Sequence, residues 1–309
     1  MLTFCRERSQ VISRALLLLL AVFSIILVHP ASAYSCTGET VSTYATIADE
    51  PVTIDGCVFK IEVTISNPSS IHISGATTTF EKGLSIDGGA SASILLENVV
   101  SAASLISFTN LILSGPSATL TISNSQFHSL ALTDAMITSG SNVVISATTI
   151  STDGLKLTNV TVDTLATGAP TFFKVASSAI YSTSVVGIVP ALLIEDCVFT
   201  NGARLLLQGS TVRAYQNAIQ LKAGHNSTYA SVSSRNVHWN AFSSGAIFNV
   251  TNSIVQSTKG HSLTTFMTER IDRFYWYRYS FFTSGAELVA TNSQFSSPVY
   301  AQVSQGSTI

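Results

Sequence analysis

Ile54-Asp55-Gly56-Cys57-Val58-Phe59 and Ile194-Glu195-Asp196-Cys197-Val198-Phe199 are two copies of one hexapeptide. Ile122-Ser123-Asn124-Ser125-Gln126-Phe127 and Ala290-Thr291-Asn292-Ser293-Gln294-Phe295 are two more. All four run apolar, any, Asn/Asp/Gly, small, any, Phe or aliphatic. Looser copies centre on Asn98, Asn110, Asn159, Asn236 and Asn252, at irregular spacing. Ahead of the third position, residues alternate apolar and polar, as in Leu120-Thr121-Ile122-Ser123 and Leu192-Leu193-Ile194-Glu195. That period of two marks a half-buried strand. Asn tolerates the left-handed backbone that bends one strand into the next, and the apolar residue three places on turns back inside. Stacked coils then set Asn over Asn and Phe over Phe, each coil burying its neighbour's face.

Working outward from these copies, residues 34–309 read as one repeat domain of an all-β protein, a right-handed parallel β-helix (solenoid). Helical periodicity is nearly absent after the leader, so a doubly wound α/β fold is excluded. A β-sandwich also alternates strands and turns, but it does not explain one recurring hexapeptide.

Residues 1–33 read as a signal peptide. Arg6, Arg8 and Arg14 make a basic start, Ala15 to Val28 is an apolar run, and Ala31-Ser32-Ala33 supplies a small-x-small cleavage pattern. The run is short against the ~20 apolar residues of a membrane span. The mature chain is therefore expected to be secreted or displayed at the cell surface. Membrane attachment would come only through an uncleaved leader or a missing C-terminal region. Export makes Asn159, Asn226 and Asn249, each in an Asn-x-Ser/Thr triplet, candidate glycosylation sites. It also permits a Cys36–Cys57 disulfide at the N-terminal edge. Cys197 is left over, as a buried small hydrophobe.

Charged residues are 10% of the chain and the formal net charge is −2. Without Arg6, Glu7, Arg8 and Arg14, 12 basic groups face 16 acidic ones, a balance of −4. No basic field exists to attract nucleic acid. Ser and Thr make up roughly a quarter of the sequence, which with 46% hydrophobic residues suits strands under a hydroxyl-covered surface.

The apolar-x-Asn-Ser-x-Phe coils, low charge and leader resemble pectin-lyase-like parallel β-helix proteins, and in particular the kinetoplastid surface proteins of the dispersed gene family. Leu192 to Gly202 is the nearest local match. The resemblance implies a surface role. Members of that family are much longer and carry transmembrane helices near their C-termini. Here the chain ends at Gly306-Ser307-Thr308-Ile309 without such a helix, as a fragment or divergent member would.

The same architecture hosts polysaccharide lyases and hydrolases, which cluster carboxylates around the scissile bond. Ser151-Thr152-Asp153-Gly154 is the nearest approach to the Asn-Thr-Asp segment of polygalacturonase-like members, and Gly224-His225 and Gly260-His261 keep half of a Gly-His-Gly. There is no Asp-Asp pair and no Arg-x-Lys. The histidines lack zinc-like spacing. The reading is thus a protein without catalytic residues, metal or cofactor, serving adhesion, display or host contact. A carbohydrate-active enzyme and a structural spacer are the alternatives. Its expected partners are glycans or host and surface proteins, and its candidate binding residues are Arg273, Tyr275, Trp276, Tyr277 and Arg278. These lie in a stretch rich in aromatics and arginine, the residue types that dominate binding hot spots.

Overall fold

A computed structural model describes residues 33–43, 45–48, 51–88, 93–164, 169–185, 189–223, 236–267, 276–282 and 284–297. The leader lies outside these apart from Ala33. Tyr34–Ile309 forms a compact unit of its own.

Among the described residues the protein is all-β, without a helix. Its strands pair in parallel and stack into long sheets, an arrangement consistent with a β-helix solenoid. The first sheet has ten strands in chain order, from Tyr34–Thr37 to Glu287–Thr291, and strands of the other sheets intervene between successive members. The alternation read from sequence is the alternation of burial. In Thr119–Ser123, Leu120 and Ile122 point inward and the three polar residues outward. Register stacks Ile54, Ile73, Leu96, Ile122, Ile145, Val175, Leu207 and Val250 into one inner column. All eight are at most 2% exposed, and a fully buried side chain of this size contributes about 1.5–3 kcal/mol. Phenylalanines stack in the same way, with ring centroids 5.0 Å apart for Phe59 and Phe80 and 4.7 Å for Phe199 and Phe242.

Each first-sheet strand ends at a residue with positive φ: Gly38, Gly56, Gly75, Asn98, Asn124, Ala147, Ser177, Gly209, Asn252 and Asn292. This corner leads into the second sheet. A second corner leads out of it at Asn67, Gly88, Asn110, Asp134, Asn159 and Asp196, again with positive φ. The two corners share one hexapeptide pattern. Ile54–Phe59 sits at the first and Ile194–Phe199 at the second, so this pair does not stack coil on coil. The irregular spacing of the copies has this origin. One copy is corrected: Asn236 opens the strand Asn236–Phe242 instead of forming a bend.

The small residue after the bend holds the first corner together. Ser210 Oγ accepts a hydrogen bond from the Ser178 backbone N–H at 3.2 Å and donates to its own coil's Gln208 carbonyl at 2.9 Å. Ser178, Ser253 and Ser293 repeat the arrangement, receiving the N–H of Thr148, Ser210 and Ser253. The result is a continuous internal ladder. A hydroxyl suits it because it is donor and acceptor at once, satisfying backbone groups that burial would otherwise leave unpaired. Sequence separation along the ladder is 30 from Thr148 to Ser178, 32 to Ser210, 43 to Ser253 and 40 to Ser293. The later coils are longer, and a third sheet, to which the described residues of the first coils contribute no strand, begins at Ile112–Ser114 and runs to Trp276–Phe282.

Candidate recognition surfaces

Of the candidate binding residues, Arg273 and Tyr275 lie outside the described residues. Trp276, Tyr277 and Arg278 open the strand Trp276–Phe282 of the third sheet. This strand pairs with Asn236–Phe242, setting Trp276 beside Asn236, Tyr277 beside Val237, Arg278 beside His238 and Tyr279 beside Trp239. The pairing joins the two tryptophan-bearing segments, Asn236–Phe242 and Trp276–Phe282.

Among the glycosylation candidates, Asn226 lies outside the described residues. Asn159 occupies a second-corner position with φ 54°, and its Nδ2 donates to Asp134 Oδ1 at 2.6 Å. Asn249 lies on the outward face of the first sheet, where its Oδ1 accepts from the Thr251 hydroxyl of the same triplet at 2.8 Å. Cys36 and Cys57 are bonded, with Cα atoms 6.4 Å apart. Cys57 holds the small position after Gly56, so the disulfide ties the first coil to the second where serines tie the later ones. Cys197 fills the equivalent place at the second corner, wholly buried, with Sγ directed at the carbonyls of Glu195 (3.3 Å) and Leu157 (3.4 Å). Burial pushes its thiol pKa up to about 12. Cys197 is therefore a weak-donor version of the ladder serine rather than a nucleophile.

Ionisable groups gather instead where the second sheet breaks between its two halves. His128 falls at a register shift, with Nε2 3.5 Å from Asp153 Oδ2 and both side chains partly exposed. Gly154 beside it has φ 72°, and a Cβ there would meet the Ala191 carbonyl oxygen at 2.2 Å, so only glycine fits. Further along, Lys259 Nζ stands 5.1 Å above the Tyr215 ring, and a hydrogen bond with Tyr215 holds its pKa above the usual lysine value. Glu195 pairs with Lys222 at the end of the second sheet. Asp196 sits at the adjacent corner, away from the sheet break that holds Asp153. Among the described residues no group of three or more His, Cys, Asp or Glu could hold a metal ion.

The outward face of the first sheet changes character along its length. Its early coils present Thr53, His72, Glu97 and a single apolar side chain, Leu95, whereas coils from Asn142–Ser146 to Ile247–Thr251 present Val144, Phe172, Lys174, Arg204, Leu206 and Ile247. No sequence motif marks this cluster, because its members are brought together only by register.

No family model matches the sequence, and no curated protein or solved structure matches it. The class that the coordinates support is thus the coarse one, an all-β protein of stacked parallel strands.

Proposed function

We propose that this chain is a non-catalytic protein of the secretory pathway, secreted or held at the cell surface, with a role in adhesion, display or host contact. In this reading it is a right-handed, pectin-lyase-like β-helix related in kind to the dispersed gene family proteins. Right-handed crossovers prevail between parallel strands of one sheet. The observation that carries the reading is how the polar groups are distributed. Inside, the hydroxyls of Ser178, Ser210 and Ser253 are engaged by backbone of the neighbouring coils. Outside, the sheets offer Ser, Thr and Asn interrupted by a few apolar, cationic and acidic residues. A rigid stack with recognition chemistry confined to its outer faces suits display.

The test is a glycan-array and cell-surface binding screen of the secreted chain, with Trp276→Ala and Arg278→Ala beside wild type. Saturable binding weakened by either variant supports recognition through the third sheet. Absence of any saturable binding defeats recognition and leaves the structural spacer.

A second reading, a carbohydrate-active enzyme, draws on the His128–Asp153 pair, a base and a carboxylate within 3.5 Å on a partly exposed surface. Cleavage of polyuronides that disappears in Asp153→Asn would establish it.

A further inference from the structure

On the outward face of the first sheet, Phe172 is in register with Arg204, and Lys174 with Leu206. Below them lie Asn142 and Val144, and above them Ile247 and Asn249. Lys174 and Arg204 are thus diagonal neighbours on adjacent parallel strands, with Cα atoms about 8 Å apart by strand spacing and rise. Among the described residues neither makes an ion pair. The outward positions of the five strands from Thr119–Ser123 to Ile247–Thr251 contain no carboxylate, so neither cation has an acidic neighbour on an adjacent strand; the nearest in register is Glu287, two strands from Arg204 in the column through Ile247. Both belong to a chain of negative net charge. Around them Val144, Phe172, Leu206 and Ile247 are partly exposed.

We propose that this face is a docking surface for a protein partner that presents acidic side chains beside apolar ones. The proposal rests on the display reading and names the partner class that such a surface takes. Unpaired cations call for carboxylates, and an arginine gives them a planar, bidentate fit. The aliphatic flanks decide between partner classes. Val144, Leu206 and Ile247 outnumber the one aromatic, Phe172, and offer area to buried hydrophobic side chains, as an interface core does. Asn249 adjoins Leu206, so a glycan there would cover part of the face, and binding is best measured on Asn249→Gln protein.

A random peptide library displayed on phage and selected on the full chain tests this. Peptides from wild type are expected to be enriched in Asp and Glu next to apolar residues. They should bind about tenfold or more weakly to Lys174→Glu/Arg204→Glu, while Lys156→Glu, a charge reversal on the second sheet, binds them as wild type does. Both exchanged side chains point outward, and circular dichroism checks that the fold is kept. If the double variant does not fold, Lys174→Ala and Arg204→Ala singly replace it. Selected peptides without acidic bias, or unaffected by charge reversal, overturn the proposal. So does binding of sulfated or uronate oligosaccharides through the same two residues without peptide binding. Cell-surface binding that responds to Trp276→Ala but not to the reversal would refute this docking face and leave the display reading standing.

Discussion

Replacing Ser210 by Ala removes one oxygen from a side chain that is 2% exposed and joins two coils. The Ser178 N–H, 3.2 Å away, loses its acceptor in an interior closed to water. A buried donor left unpaired costs about 1–3 kcal/mol, while the cavity left by a single oxygen is small. The Gln208 carbonyl, which also loses a donor, adds to the cost in the same direction. We expect a destabilisation of about 1–3 kcal/mol, against less than about 0.5 kcal/mol for an outward change such as Ser146→Ala. The effect is also directional. Each ladder hydroxyl serves the amide of the preceding coil, so Ser210→Ala should unprotect Ser178, and Ser253→Ala should unprotect Ser210. Hydrogen exchange read at those amides would show protection falling by about 5- to 150-fold, the range equivalent to 1–3 kcal/mol. Unchanged exchange at Ser178, or a loss of protection spread evenly over the coil, would refute the ladder as a source of stability.

Ala147 and Ser177 hold φ of 47° and 49°, where an L side chain costs about 1–2 kcal/mol. Ala147→Asn is therefore expected to raise the melting temperature, with a gain of about 0.5–1 kcal/mol, and a lower value in calorimetry would count against corner strain. Cys197 should resist alkylation at pH 8 in the folded chain and react once unfolded, which mass spectrometry resolves. Its folded pKa of about 12 lies above the unfolded value of 9.0, so the fold holds the proton more tightly. Stability from this group is complete below pH 9 and falls as pH rises from 9 towards 12, a loss that Cys197→Ser should abolish. The Cys36–Cys57 bond closes a loop of sequence separation 21, worth about 3 kcal/mol in the chain-entropy account. Reduction should accordingly lower the unfolding midpoint of the first coils, and proteolysis should begin there. Cutting that starts elsewhere would contradict this.

The sequence by itself determined the local units of this protein. Alternation in Leu120-Thr121-Ile122-Ser123 and the bend at Asn124 are legible because both are short-range: side-chain direction repeats every two residues, and Asn favours left-handed backbone. Ala147 and Ser177 escaped that reading. Their own preferences oppose the conformation, and the stacked coils with their hydrogen-bonded ladder impose it. Likewise nothing local distinguishes Ile54–Phe59 at one corner from Ile194–Phe199 at another, since the same turn chemistry serves both. Which strand lies on which depends on coil length, and that is set by closure of each coil over the last. Only the tertiary structure therefore decided that Phe172, Lys174, Arg204 and Leu206 share one face, or that Tyr277 adjoins Val237. Register is a non-local quantity, and the candidate surfaces are made of it.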